Sequence, residues 1–168
     1  MTLALRASLV SLLTLAGTPA AAAVQPGQPA PAFEGTPLNG GMPIRLADYR
    51  GKVVYLDFWA SWCGPCKLSL PWMEQLRKDF GQSGLEVIAV NVDEKPEDAA
   101  AFLSRFPVSY PVATDGGGAV ATLYDVQDMP SSYLIDRRGV VRRVHGGFSR
   151  PDGERLREAV ARLVKEQP

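Results

Sequence analysis

The segment from Val53 to Cys66 constrains this chain more than any other. Val53-Val54-Tyr55-Leu56-Asp57-Phe58-Trp59-Ala60 is an almost unbroken run of apolar, β-favouring residues, interrupted only by Asp57. Such a run suits a strand buried on both faces of a sheet. Trp62-Cys63-Gly64-Pro65-Cys66 follows at once, and then Met73, Leu76 and Phe80 recur at helical spacing until Gly81. The reading is a buried strand, a short turn carrying two cysteines, and a helix whose start is Cys63. Pro71 falls inside that helix and should kink it.

The remaining elements read as an alternation of strands and helices. Val24 to Pro31 is a Pro- and Gly-rich extended lead-in. Phe33 to Leu46 is a β-hairpin around Asn39-Gly40-Gly41, and Leu46 to Gly51 a helical turn closed by glycine. Leu85 to Val92 is a second buried strand. Pro96 to Phe106 is a helix with proline early and Glu97 and Asp98 in its first turn. Val112-Ala113 is a short strand, and Ala119 to Tyr124 a short helix after Gly116-Gly117-Gly118. Ser132–Ile135 and Val140–His145 form a hairpin around Asp136-Arg137-Arg138-Gly139. Arg137, Arg138, Arg142 and Arg143 read as solvated hairpin charges. A last helix starts at a Ser149 cap and buries Leu156, Val160, Leu163 and Val164. Strands separated by helices imply crossovers and a partly parallel sheet, an α/β fold.

At 168 residues the chain is sized for one domain. Its 46% apolar content supports one core, and its formal net charge of zero gives no sign of a nucleic-acid partner. The N-terminus reads separately. Arg6 is the only charged side chain before Glu34, Leu9 to Leu15 are a short apolar stretch, and Ala21-Ala22-Ala23 provides a small-residue cleavage site. Residues 1–23 are therefore expected to be a cleavable signal peptide, with a retained anchor as the alternative, and residues 24–168 the exported domain. Removal of that segment leaves 17 basic against 18 acidic residues.

The chain has two cysteines, both in the same C-x-x-C. A structural disulfide gains by closing a long loop, and one across two residues constrains almost nothing. Chemistry explains the pair better than stability does. A thiolate attacks disulfides, and unpaired N–H groups at a helix start favour a thiolate. Cys63 is thus the expected nucleophile. Cys66, one turn on, would attack the mixed disulfide and release product. Gly64 permits the tight entry, and Pro65 lacks an N–H that would go unused there. A zinc site would want four ligands, whereas there is no second cysteine pair and His145 is the sole histidine. No metal or cofactor is expected.

Asp57 through Lys67, with Pro71 following, closely resembles the active-site segment of the thioredoxin superfamily. The signal peptide, the N-terminal hairpin, Asn91-Val92-Asp93-Glu94 and an extra αβ unit before Met129-Pro130 resemble its exported TlpA/ResA branch, which includes cytochrome c maturation reductases. The resemblance implies a three-layer thioredoxin-like fold, a mixed central sheet with helices on both faces, the N-terminal hairpin and the inserted αβ unit. It implies a cis-proline at Pro130 facing the dithiol, with the Met129 backbone available to pair with an extended client peptide; a trans proline opening a strand is the alternative. Asp57 would lie under the dithiol and take the Cys66 proton, or serve as a buried structural acid. Glu94 matches an acid that the branch places near the site, or is a solvated residue before a helix. Thioredoxins carry the Asp57 acid, whereas TlpA/ResA-like members often lack it, so which acid moves the proton stays open. Trp62, Gly64, Pro65, Met129 and Gly146 would form the client-binding surface, with Trp59 in the core and His145 structural.

The expected function is an exported, periplasmic thiol–disulfide oxidoreductase acting as a dithiol reductase of client-protein disulfides. A membrane thiol carrier would re-reduce it, and it would work as a monomer. The Gly64-Pro65 pair supports the reducing direction, since thioredoxin shares it at about −270 mV, against about −120 mV for an oxidase of the same fold. A disulfide oxidase or isomerase is the alternative. A peroxidase would want a lone cysteine preceded by threonine. A copper chaperone would use Cys63, Cys66 and His145, although such proteins of this fold space their cysteines by three.

Overall fold

The apolar run becomes strand β3 (Val53–Trp59), every residue of which is buried. In the computed structural model, which describes residues 23–167, it lies inside a sheet and meets apolar layers on both sides. Val53, Tyr55 and Trp59 join one cluster, and Val54, Leu56 and Phe58 the other. This is the two-residue period of a strand with no solvent face. The expected signal segment, residues 1–23, lies outside the described residues except for its last position.

Around β3 stand β1 (Glu34–Pro37), β2 (Ile44–Arg45), β4 (Leu85–Asn91), β5 (Val112–Thr114), β6 (Ser131–Ile135) and β7 (Val141–Gly146). Among the described residues they form one seven-stranded sheet in the order β2-β1-β5-β4-β3-β6-β7. β3, β4 and β5 run parallel, and β1, β2, β6 and β7 are antiparallel to their neighbours. The sheet is mixed, as expected. The helices are α1 (Cys66–Phe80), α2 (Pro96–Leu103), α3 (Ala119–Leu123) and α4 (Arg150–Leu163). Leu70, Met73 and Leu76 of α1, Phe102 of α2, and Leu156 and Val160 of α4 fill one cluster. On the opposite face Val120 of α3 packs with the lead-in and hairpin residues Val24, Ala30, Phe33 and Ile44. Helices therefore cover both faces.

Several boundaries differ from the sequence reading, each for a local reason. α1 begins at Cys66, not Cys63, because Gly64 and Pro65 occupy a turn whose carbonyls accept from Lys67 and Leu68. Gly81 does not stop the chain's helical path; a 3-10 turn over Gly81–Ser83 continues it, and the left-handed residue is Gly84 at φ 93°. α2 stops at Leu103, where Ser104 closes back on Ala101 through its hydroxyl. Ser149 gives α4 no side-chain cap; its hydroxyl bonds the Asp152 carboxylate instead.

The hairpin arginines are not simply solvated. The Arg137 guanidinium donates to the carbonyls of Gly51, Ser83 and Val164 and so ties three chain segments together. Arg142 bridges Asp136 and Glu166.

Candidate active site

The carboxyl end of β3 delivers the two cysteines. Cys63 donates its N–H to the carbonyl of Ala60 at 3.1 Å, closing a turn over Ala60–Cys63. Cys63 and Cys66 are joined by a disulfide, and the Cys66 N–H donates to the Cys63 sulfur at 3.2 Å. That N–H is the first of the orphan donors of α1, and Pro65 at the cap has none to offer. Cys66 is fully buried and Cys63 is 3% exposed. Trp62, between the turn and the dithiol, is 68% exposed, and Leu68 on the first turn of α1 is half exposed.

Asp57 lies on the same face of β3 as Tyr55 and Trp59, the face covered by α1. It is 1% exposed, and its Oδ2 has no hydrogen-bond partner. Burial pushes its carboxyl well above the ordinary carboxylate range. The phenols of Tyr55 and Tyr110 are pushed up by burial and then by the nearby Asp57 carboxylate, and the Tyr110 hydroxyl donates to Leu70 O of α1 at 3.2 Å. The pairing of β3 with β6 sets Asp57 opposite Ser132, and that of β6 with β7 sets Ser132 opposite His145. The three side chains thus stand in one row beneath α1 and α4. His145 Nε2, itself without a hydrogen bond, is 3.6 Å from Asp152 of α4.

The Met129–Pro130 peptide bond is cis. It leads directly into β6, whose Ser131 pairs with Phe58 near the end of β3. Met129 packs against the cluster that holds both cysteines. Pro130 O accepts from Gly147 N at 2.7 Å, which brings the end of β7 alongside. A Cβ on Gly146 would stand 2.8 Å from Asp128 Oδ2, so the Asp128 side chain lies against the bare Cα of Gly146. Dithiol, Pro130 and Gly146 therefore share one end of the sheet.

Glu94 is exposed and makes no hydrogen bond among the described residues. The acid engaged with the site's loops is its neighbour. Asp93 is buried and accepts from the Ser61 N–H at 3.0 and 3.2 Å, from the Ser61 hydroxyl at 3.0 Å and from Asn91 Nδ2 at 2.8 Å. Sequence reasoning singled out the Asn91–Glu94 segment only as a family mark and passed over this role. The signal was there: Asn91 and Asp93 are polar residues two apart at the end of an apolar strand, hence on one side of it. No cluster of His, Cys, Asp and Glu suited to a metal occurs among the described residues.

A disulfide between cysteines three apart, at the start of a helix and at the carboxyl end of a mixed sheet, defines a thioredoxin-fold protein with a redox-active pair. The AhpC/TSA family matches residues 26–144. A thiol-disulfide oxidoreductase ResA of Geobacillus kaustophilus is 38% identical over 139 residues, 82% of this chain and 79% of that protein. The ResA of Bacillus subtilis is 38% identical over 124 residues, 74% of this chain and 69% of that protein. A putative thiol:disulfide interchange protein DsbE from Chlorobium tepidum superposes with a TM-score of 0.81 at 43% identity, covering 84% of this chain and 99% of the other. The chain belongs to the AhpC/TSA family, and it is a thiol–disulfide oxidoreductase.

Proposed function

We propose that this chain is an exported dithiol reductase of disulfides in client proteins, with apocytochrome c among the clients. The carrying observation is the Cys63–Cys66 pair set at a helix start on the β3 face that buries the unpartnered carboxyl of Asp57. ResA relatives support the chemistry, and the sequence of residues 1–23 supports export. In the reduced protein the Cys63 thiolate attacks a client disulfide, forming a mixed disulfide and releasing one client thiolate. Cys66 then gives its proton to the Asp57 carboxylate and attacks the Cys63 sulfur. The Cys63–client bond breaks, the client leaves as dithiol, and the protein is left as its disulfide. A membrane thiol carrier returns two electrons and two protons. Trp62, Gly64, Pro65 and the backbone of Met129 receive the client peptide as an added strand, with Gly146 leaving room at its edge. Glu94, exposed and without a hydrogen bond among the described residues, has no part in the proton path of this reading.

Direction follows from thiolate stability. An ionised acid buried beneath the dithiol disfavours a nearby thiolate, which makes the dithiol the better electron donor. Equilibration with glutathione tests this. The expected potential is on the order of −200 mV or lower, with ready reduction of insulin disulfides. A value near about −120 mV, with efficient oxidation of a reduced unfolded protein, would make the protein an oxidase instead.

A further inference from the structure

The chain leaves β3 at Trp59 and must reach Cys63 through Ala60, Ser61 and Trp62. That turn is closed on one side by the Cys63 N–H on Ala60 O. Its outer residue, Ser61, is held from the next strand: Asp93 takes both the Ser61 N–H and the Ser61 hydroxyl. Asn91 locks Asp93 in turn, donating to its carboxylate through Nδ2 and accepting its N–H at 3.1 Å on Oδ1. Val92 N–H reaches back to Trp59 O at 3.0 Å, and Asp115 N–H to Asn91 O at 2.7 Å. Gly116 passes so close that a Cβ there would sit 3.2 Å from Asp93 O. Asn91 and Asp93 are buried and Ser61 is half-buried, and the clamp is fixed from both sides.

We propose that Asp93 is a positioning residue for the nucleophile: it pins the Ser61–Trp62 turn that presents Cys63, and it sets a buried negative charge next to that turn which disfavours the Cys63 thiolate and strengthens the dithiol as an electron donor. The inference rests on Cys63 being the nucleophile. Ser61 and Cys63 are two residues apart, so their Cα atoms lie within about 7 Å. A carboxylate bound to Ser61 is close enough for unscreened interaction with the sulfur. It also consumes the Ser61 N–H, a donor that would otherwise be free to favour an anion in this turn. The other titratable groups at this end of the sheet are Asp57 from β3, His145 from β7, Glu94 and Lys95 after β4, Asp115 and Asp128 from the loops after β5 and α3, and Lys67 from α1. Acids outnumber bases there, and Asp93 is the acid bonded to the nucleophile's own turn.

The test is the pH dependence of iodoacetamide alkylation of Cys63, read by mass spectrometry, in a Cys66→Ser background. Asp93→Asn removes the charge and should move the midpoint down, giving about tenfold more thiolate at a fixed pH below it. Ser61→Ala keeps the charge but takes away a donor that partly neutralises it, so its midpoint should move up by a smaller amount. Simple loosening of the turn would shift both variants in the same direction. In the two-cysteine protein, Asp93→Asn should also shift the glutathione equilibrium toward the dithiol by about tenfold. An unmoved midpoint in a folded Asp93→Asn protein, or shifts of the same sign in both variants, overturns the inference. Should Asp93→Asn not fold, Ser61→Ala decides alone, and a midpoint that fails to rise overturns it. Preferential alkylation of Cys66 in the two-cysteine protein would instead refute the nucleophile assignment.

Discussion

The backbone N–H of Cys66 is aimed at the sulfur of Cys63, 3.2 Å away. After reduction the same N–H faces a Cys63 thiolate, whereas among the described residues no N–H or O–H donates to the sulfur of Cys66, which is fully buried. The two sulfurs are thereby made unequal by the helix start. Replacing Cys66 with serine should leave a long-lived mixed disulfide between client and Cys63, isolable on a non-reducing gel. Trapping of equal yield with Cys63→Ser would reverse the assignment.

Trp62 projects from the clamped turn with two-thirds of its surface free. A large apolar side chain so placed costs the folded state little to lose, within about 0.5 kcal/mol. Its value lies in contact with a client. Trp62→Ala should therefore raise KM for a protein disulfide about fivefold, the effect of roughly 1 kcal/mol of lost contact, with no change of Tm and no change toward oxidised glutathione. A parallel loss with both substrates would mean that Trp62 acts on the dithiol and not on the client.

Much of this architecture was legible in the chain because it rests on periodicity. The run at 53–60 suits an interior strand, and Leu156, Val160, Leu163 and Val164 one face of a helix; β3 and the first three of those residues are buried, and Val164, at the helix's C-terminal cap, is half-buried. The two cysteines and Asp57 stood out because their chemistry is at odds with an apolar setting. The Asn91–Asp93 pair was legible, but what it clamps was hidden, because Ser61 is 32 residues away and meets Asp93 only once β3 and β4 pair in parallel register. Arg137 was hidden for the same reason: a charged residue at a hairpin tip looks solvated until Gly51, Ser83 and Val164 converge on it. The end of α2 came earlier than composition suggested because the Ser104 hydroxyl closes on the Ala101 carbonyl, whereas α4 starts after Ser149 as expected, with that hydroxyl on the Asp152 carboxylate.

Gly35 tests how β1 is seated on the sheet. A Cβ at this position would lie 2.6 Å from the Ala113 Cβ of β5, closer than carbon atoms can approach. β1 must then slide away from β5, loosening the Thr36–Thr114 and Pro37–Ala113 pairs. Gly35→Ala should cost about 1–3 kcal/mol, seen as a lower urea midpoint at unchanged slope. A variant as stable as the parent would show that the hairpin is free to shift at no cost.

Asp57 supplies a test in which stability and turnover move in opposite directions. Burial raises its folded-state pKa well above 3.8. Above the ordinary carboxylate range the unfolded chain has lost this proton while the native protein still holds it, so the native state binds more protons and stability falls as pH rises. The fall is at most about 1.4 kcal/mol per pH unit for one proton, and it ends where native Asp57 ionises. Asp57→Asn lacks this proton. It should match the parent near pH 4 and become progressively the more stable of the two toward neutral pH, by urea unfolding at each pH. The same variant should resolve the mixed disulfide more slowly at pH values high enough to ionise native Asp57, since Cys66 then has no carboxylate to take its proton. A stability gap that stays flat from pH 4 to 7 would mean that Asp57 keeps an ordinary pKa in the fold. A gap that opens while the resolution rate and its pH profile stay unchanged would make Asp57 a buried structural acid with no part in proton transfer.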